Sequence, residues 1–138
     1  MTRIYRPESG SNTRQRLLRN ASSALERINE DDVAESEHWD IVAFVILCLA
    51  EVNKSIEQTV SAWENRGYWV KADQFRLEWE WAGKSKEQLE DYVQKNDLKG
   101  AHSVLSELGQ PLKNFQPYKK ANQTKPWRGS WQEFSKNL

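Results

Sequence analysis

The chain has 138 residues, 29% of them charged, and its twenty acidic and twenty basic side chains leave no net charge. That length fits one domain able to bury a core without metal or disulfides, and the single cysteine, Cys48, excludes an intrachain bridge. The longest apolar run, residues 41–50, rises only about 15 Å as a helix, half of a bilayer's hydrocarbon core, so no membrane span is expected.

The first fourteen residues contain no apolar stretch of the kind a secretory signal requires. With a lone thiol, which suits a reducing compartment, this gives a cytoplasmic expectation. Pro7 and Gly10 predict an irregular start over residues 1–11. Asn12 followed by Gln15 predicts the cap of a first helix. Its apolar face carries Leu17, Leu18, Ala21, Leu25 and Ile28, with Arg14, Arg16, Arg19 and Arg27 mostly off that face. Asp32 and Glu35 repeat the capping pattern and open a second helix, starting between Asp32 and Asp40 and running to about Arg66.

Two seams dominate the centre. One runs Trp39, Val42, Ile46, Leu49, Asn53, Ile56, Val60, Trp63; the other runs Ala72, Phe75, Trp79, Ala82, Lys86, Leu89, Val93. Both step by three and four residues, the spacing of one face of a helix packed along another. Arg66, Gly67 and Tyr68 lie between them. The prediction is a long antiparallel helical hairpin whose second arm is continuous from Tyr68 to Asn96, although Gly83 and Ser85 weaken it. Ile46, Leu49, Ile56, Phe75, Trp79 and Leu89 are expected in the core. Lys86 is expected to lay its stem along the seam and reach toward Glu51.

The second helix is apolar on every side around Phe44, Val45, Leu47 and Cys48. Such a helix needs cover from several directions. Two neighbouring helices leave part of it bare, which predicts self-association, most simply as a two-fold homodimer. Asp97 predicts the cap of a fourth helix ended by Gly109 and Pro111. The fold class is therefore all-α: a four-helix bundle around a long antiparallel hairpin (1–109), followed by an irregular C-terminal tail (110–138).

Charge is unevenly placed. Residues 30–51 hold seven acids and no Lys or Arg, whereas residues 110–138 hold six bases and one acid. In the tail Phe115, Tyr118, Trp127, Trp131 and Phe134 alternate with Lys113, Lys119, Lys120, Lys125 and Arg128. Aromatics among bases suit single-stranded nucleic acid; aromatics alone suit a tail docked on its own bundle or on a partner, with at least one of Trp127 and Trp131 anchored. Trp81 lies off its seam and is hard to bury within the hairpin alone.

No constellation of residues for a chemical step is complete in the sequence. Glu35 and His38 form one Glu-x-x-His pair of the type that helical bundles use for metals. The other histidine, His102, has Lys99 where a second glutamate would stand, so His38 reads as a surface histidine on a solvated helix start. Glu87, Glu90 and Asp91 face an apolar stretch and lack opposing carboxylates for magnesium. No nucleophile motif and no glycine-rich phosphate loop is present. Catalytic, cofactor and metal residues are therefore expected to be none. The expected function is a non-enzymatic protein–protein interaction or scaffold module, with Trp81, Phe115, Tyr118, Lys119, Lys120, Trp127, Arg128 and Trp131 as partner-binding residues. The alternative is a nucleic-acid-binding accessory protein acting through the tail.

Overall fold

The computed structural model describes residues 9–138. Among them are seven helices and no strand: α1 Gly10–Ile28, α2 Glu35–Asn65, α3 Trp69–Glu78, α4 Glu80–Gln94, α5 Leu98–Leu108, α6 Ala121–Thr124 and α7 Ser130–Ser135. The irregular segment expected over residues 1–11 falls mostly outside the described part, and Gly10 and Ser11 are already helical. Ser9, not Asn12, caps α1: its side chain accepts the Asn12 N–H at 3.1 Å. A serine oxygen at this position satisfies a helix-start N–H that has no partner within the helix.

Helix α2 is roughly 46 Å long at 1.5 Å per residue, and α1, α3, α4, α5 and α7 all pack against it. This follows from its all-round apolar centre: Ile41, Val42, Ala43, Val45, Ile46, Leu49 and Val52 are buried. Its start lacks the expected cap. The preceding residue is Ala34, which makes no side-chain cap bond, while Asp32 turns back to Arg27 at 2.9 Å. Glu35 and Glu37 still place negative charge in the first turn, where the helix dipole favours it.

Two Schellman turns set the chain's reversals. Gly67 takes a φ of 81°; its N–H donates to Glu64 O, and that of Tyr68 to Trp63 O. A left-handed residue is needed there, and glycine adopts it without steric cost. Asn96 does the same after α4 with a φ of 53°, the N–H of Asp97 reaching Tyr92 O at 2.9 Å. Asp97 then caps α5 by accepting the Gly100 N–H at 2.9 Å.

The arm from Tyr68 to Asn96 is not continuous. It breaks at Trp79, where φ is −105° and ψ is 7°, four residues before the weak point expected at Gly83. There the Ala82 N–H bonds to Trp79 O, a tightened three-residue step. On an unbroken helix, side chains two apart face away from each other. Here the rings of Trp79 and Trp81 are 5.8 Å apart, so the break lets both tryptophans join one aromatic run with Phe75. Gly83 packs near Asn53 of α2 instead.

Of the expected core, Ile46, Leu49, Ile56 and Leu89 are buried, whereas Phe75 and Trp79 are only half-buried. Arg14 lies over those two rings, with its guanidinium carbon 5.0 Å from the Phe75 centroid and 5.7 Å from that of Trp79. Arg14 and Arg27, expected off the packed face, are both buried. Lys86 pairs with Glu90 at 2.7 Å, one turn along its own helix, rather than with Glu51. Val45 and Cys48 are buried within the chain, so their exposure no longer argues for self-association. Burial pushes the Cys48 thiol up to about 12, which makes it unreactive at neutral pH. No helix among the described residues is long and apolar enough to cross a membrane.

Candidate functional site

The aromatic tail is used inward. Trp127 is completely buried, its ring edge-on to Phe44 at 6.5 Å between centroids. Its indole N–H donates to Glu37 Oε2 at 3.0 Å. Glu37 also receives Arg27 Nε at 2.8 Å and Arg27 Nη2 at 3.1 Å. The fork of a guanidinium on both carboxylate oxygens is a strong, directional pairing. Those Arg27 bonds hold the Glu37 carboxyl down to about 2 against the opposing effect of burial, and the Trp127 bond adds to them. The same pairing holds Arg27 above the usual guanidinium range.

Trp131 lies 5.1 Å from the Trp39 ring, and its backbone N–H donates to Asp40 Oδ1 at 2.9 Å. Asp40 of α2 thus supplies to α7 the capping oxygen that Gly129 lacks. Tyr118 sits beneath the Arg19 guanidinium at 3.9 Å, and its N–H donates to Ser23 Oγ at 2.8 Å. Phe115 is half-buried against the core. Lys119, Lys120 and Arg128 stay exposed. The expected partner-binding residues therefore do not converge. Tyr118 packs on α1 and Trp127 and Trp131 on α2, the basic ones are exposed, and Trp81 is half-buried beside Trp79.

Apart from Leu138, the large apolar side chains most exposed to solvent lie elsewhere. Tyr68, Trp69, Val70 and Leu77 are 53%, 60%, 71% and 70% exposed. All four lie on α3 or the residue before it. The inward side of this helix is used by Ala72, which is buried, and Phe75, whose ring meets Trp63 edge-on at 5.0 Å. Arg76 ties the helix to α2 through Glu64 at 3.3 Å and to Asp73 at 2.9 Å. Lys71 caps the Trp63 ring at 4.8 Å. Beside Leu77, an open groove of about 520 Å³ is lined by Asp73, Arg76 and Glu80. The outer face of α3 thus exposes Trp69 and Val70 at its start and Leu77 two turns on, with the exposed polar residues Asp73 and Gln74 between them. Sequence reasoning missed it because Tyr68, Trp69, Val70 and Leu77 do not follow the seam spacing. Their falling off the seam was itself the available signal.

The Glu-x-x-His pair resolves differently from its sequence reading. His38 is half-buried, not a free surface side chain, and its ring contacts that of His102 on α5. Among the described residues no group of three or more His, Cys, Asp or Glu is disposed to hold a metal. Glu90 and Asp91 are engaged with Lys86 and Lys95 along their own helix. No protein-family model, curated protein or solved structure matches the chain.

Proposed function

We propose that this chain is a non-enzymatic protein–protein interaction module of the cytoplasm. In this reading it is built as a four-helix bundle in which α2 and the α3–α4 arm form an antiparallel pair, and it binds through the outer face of α3. One observation carries it: four large apolar side chains stand more than half exposed on and just before one ten-residue helix. Large apolar side chains exposed among polar ones mark interaction sites, and Trp and Tyr supply much of the binding energy where they occur in interfaces. A partner presenting apolar pockets for Trp69, Val70 and Leu77 fits this face, and Asp73, Arg76 and Glu80 beside Leu77 would set its orientation. The test compares the intact protein with a Trp69→Ser, Leu77→Glu double variant. A partner recovered by the first should be lost by the second, while Lys119→Glu, Lys120→Glu and Arg128→Glu leave it bound. Retention by the α3 variant overturns the reading. Light scattering of both proteins tells a second copy of the chain from a different partner.

The second reading is a nucleic-acid accessory protein. It is favoured by the exposed bases Lys119, Lys120 and Arg128, but stacking on bases requires free aromatic faces, and Trp127 has none exposed. Polynucleotide affinity falling steeply with salt, and abolished by the triple charge reversal, would support it over the first.

A further inference from the structure

His38 stands in the first turn of α2 and His102 in the middle of α5. His38 Nδ1 and His102 Nε2 are 2.6 Å apart. The ring planes lie within 11° of parallel and the centroids are 4.6 Å apart. Because the centroids are much farther apart than the facing nitrogens, most of a ring radius on each side lies along the line of contact. The rings meet edge to edge, not face over face. A neutral imidazole carries one N–H and one lone pair, so a single proton sits on that line, donated by one ring to the other. If the donor ring moves its proton to its outer nitrogen, both lone pairs converge on the same point with no net loss of a proton.

We propose that a divalent first-row transition-metal ion of the Zn²⁺ or Cu²⁺ type binds between His38 Nδ1 and His102 Nε2, taking the place of the shared proton. Imidazole suits these ions. At metal–nitrogen distances of about 2.0–2.1 Å, the nitrogens must separate by about 1.5 Å from their present contact for a metal on the line between them, and by less than about 1 Å where the nitrogen–metal–nitrogen angle is tetrahedral. There is room for that shift: the rings border an open groove of about 610 Å³ lined by Val33, Glu35, Leu98 and Lys99. Both backbones are held. The His38 N–H donates to Ala34 O, and α5 is fixed by the Asp97 cap and by buried Ala101 beside His102. Glu35 borders the groove but does not complete a three-residue ligand group, so two imidazoles bind and water fills the remaining positions. Lys99 puts a positive charge on the same groove, and affinity is accordingly below that of a closed four-ligand site.

Isothermal titration of the untagged full chain with zinc chloride, and separately with copper chloride, at neutral pH tests this. One-to-one binding is expected, weakened at least about tenfold by His38→Gln and by His102→Gln. Imidazole nitrogen NMR of the unaltered protein gives a readout that does not depend on the variants' folding. His38 Nδ1 and His102 Nε2 should both shift on adding zinc, while the outer nitrogens carry the protons. Absence of saturable binding to either metal up to millimolar concentration overturns the proposal. So does binding that leaves those two nitrogens unmoved or that survives both substitutions.

Discussion

The indole N–H of Trp127 donates to Glu37 Oε2 at 3.0 Å, across ninety residues of sequence. Through Glu37 it joins the buried Arg27 of α1, so one carboxylate near the start of α2 ties together the first helix and the C-terminal tail. Two other contacts repeat the link nearby: Ser22 Oγ donates to Leu112 O, and Arg19 Nε to Gln116 O.

Trp127→Ala should cost about 3–5 kcal/mol, the range for emptying a buried aromatic site. Trp127→Phe keeps most of the apolar area but removes the N–H, and should cost about 1–2 kcal/mol more than lost area alone. Trp79→Ala should cost less than Trp127→Ala, because Trp79 is only half-buried. Urea melts of the three variants check the order. Equal losses at the two tryptophans would contradict it.

Acid should weaken the fold through Glu37. Its carboxyl is lowered from 4.5 to about 2, chiefly by the Arg27 hydrogen bonds. On acidification the unfolded chain therefore takes up this proton first. The stabilisation is present in full above about 4.5 and is lost as pH falls toward 2. Thermal melts across that window should show a falling Tm, with a shallower slope in Glu37→Gln. An unchanged slope in the variant would assign the acid sensitivity to other carboxyls.

Gly100 is helical, so alanine there would ordinarily stabilise by up to about 1 kcal/mol. The opposite is expected here. A Cβ on Gly100 would collide with the ring of Tyr92 and approach Asp97 Oδ2 to 2.9 Å, the residue that caps α5. Gly100→Ala should destabilise by about 1–3 kcal/mol, as overpacking does. Tyr92→Ala should restore tolerance to it in a double-mutant cycle. A stabilising Gly100→Ala would show that the ring moves aside freely.

Arg14 bonds Ser55 Oγ at 3.0 Å and Thr59 Oγ1 at 3.3 Å while lying over Phe75 and Trp79. A flat, delocalised cation suits both duties and an ammonium does not. Arg14→Lys should therefore cost about 1–2 kcal/mol, despite retaining the charge, and Arg14→Ala more. Chemical denaturation followed by Trp fluorescence measures both. A neutral Arg14→Lys would reduce this site to simple packing.

Helical class, the seam along α2, the turn at Gly67 and the Asp97 cap were legible in the sequence. All are set by spacing within a few residues: apolar side chains every three or four positions, a glycine where φ must be positive, a carboxylate one place before a helix. The break at Trp79 was not legible, because it depends on where Trp81 and Arg14 find space. The ion pair of Arg27 with Glu37 and the facing rings of His38 and His102 join residues ten and sixty-four positions apart. The aromatic tail showed the same limit. Composition marked Trp127 and Trp131 as large apolar anchors. Only the tertiary structure decided that they would be used on α2, leaving Tyr68, Trp69, Val70 and Leu77 in solvent. Local rules determine which face of a helix is apolar. Competition among all such faces for a limited buried volume determines which of them remain exposed.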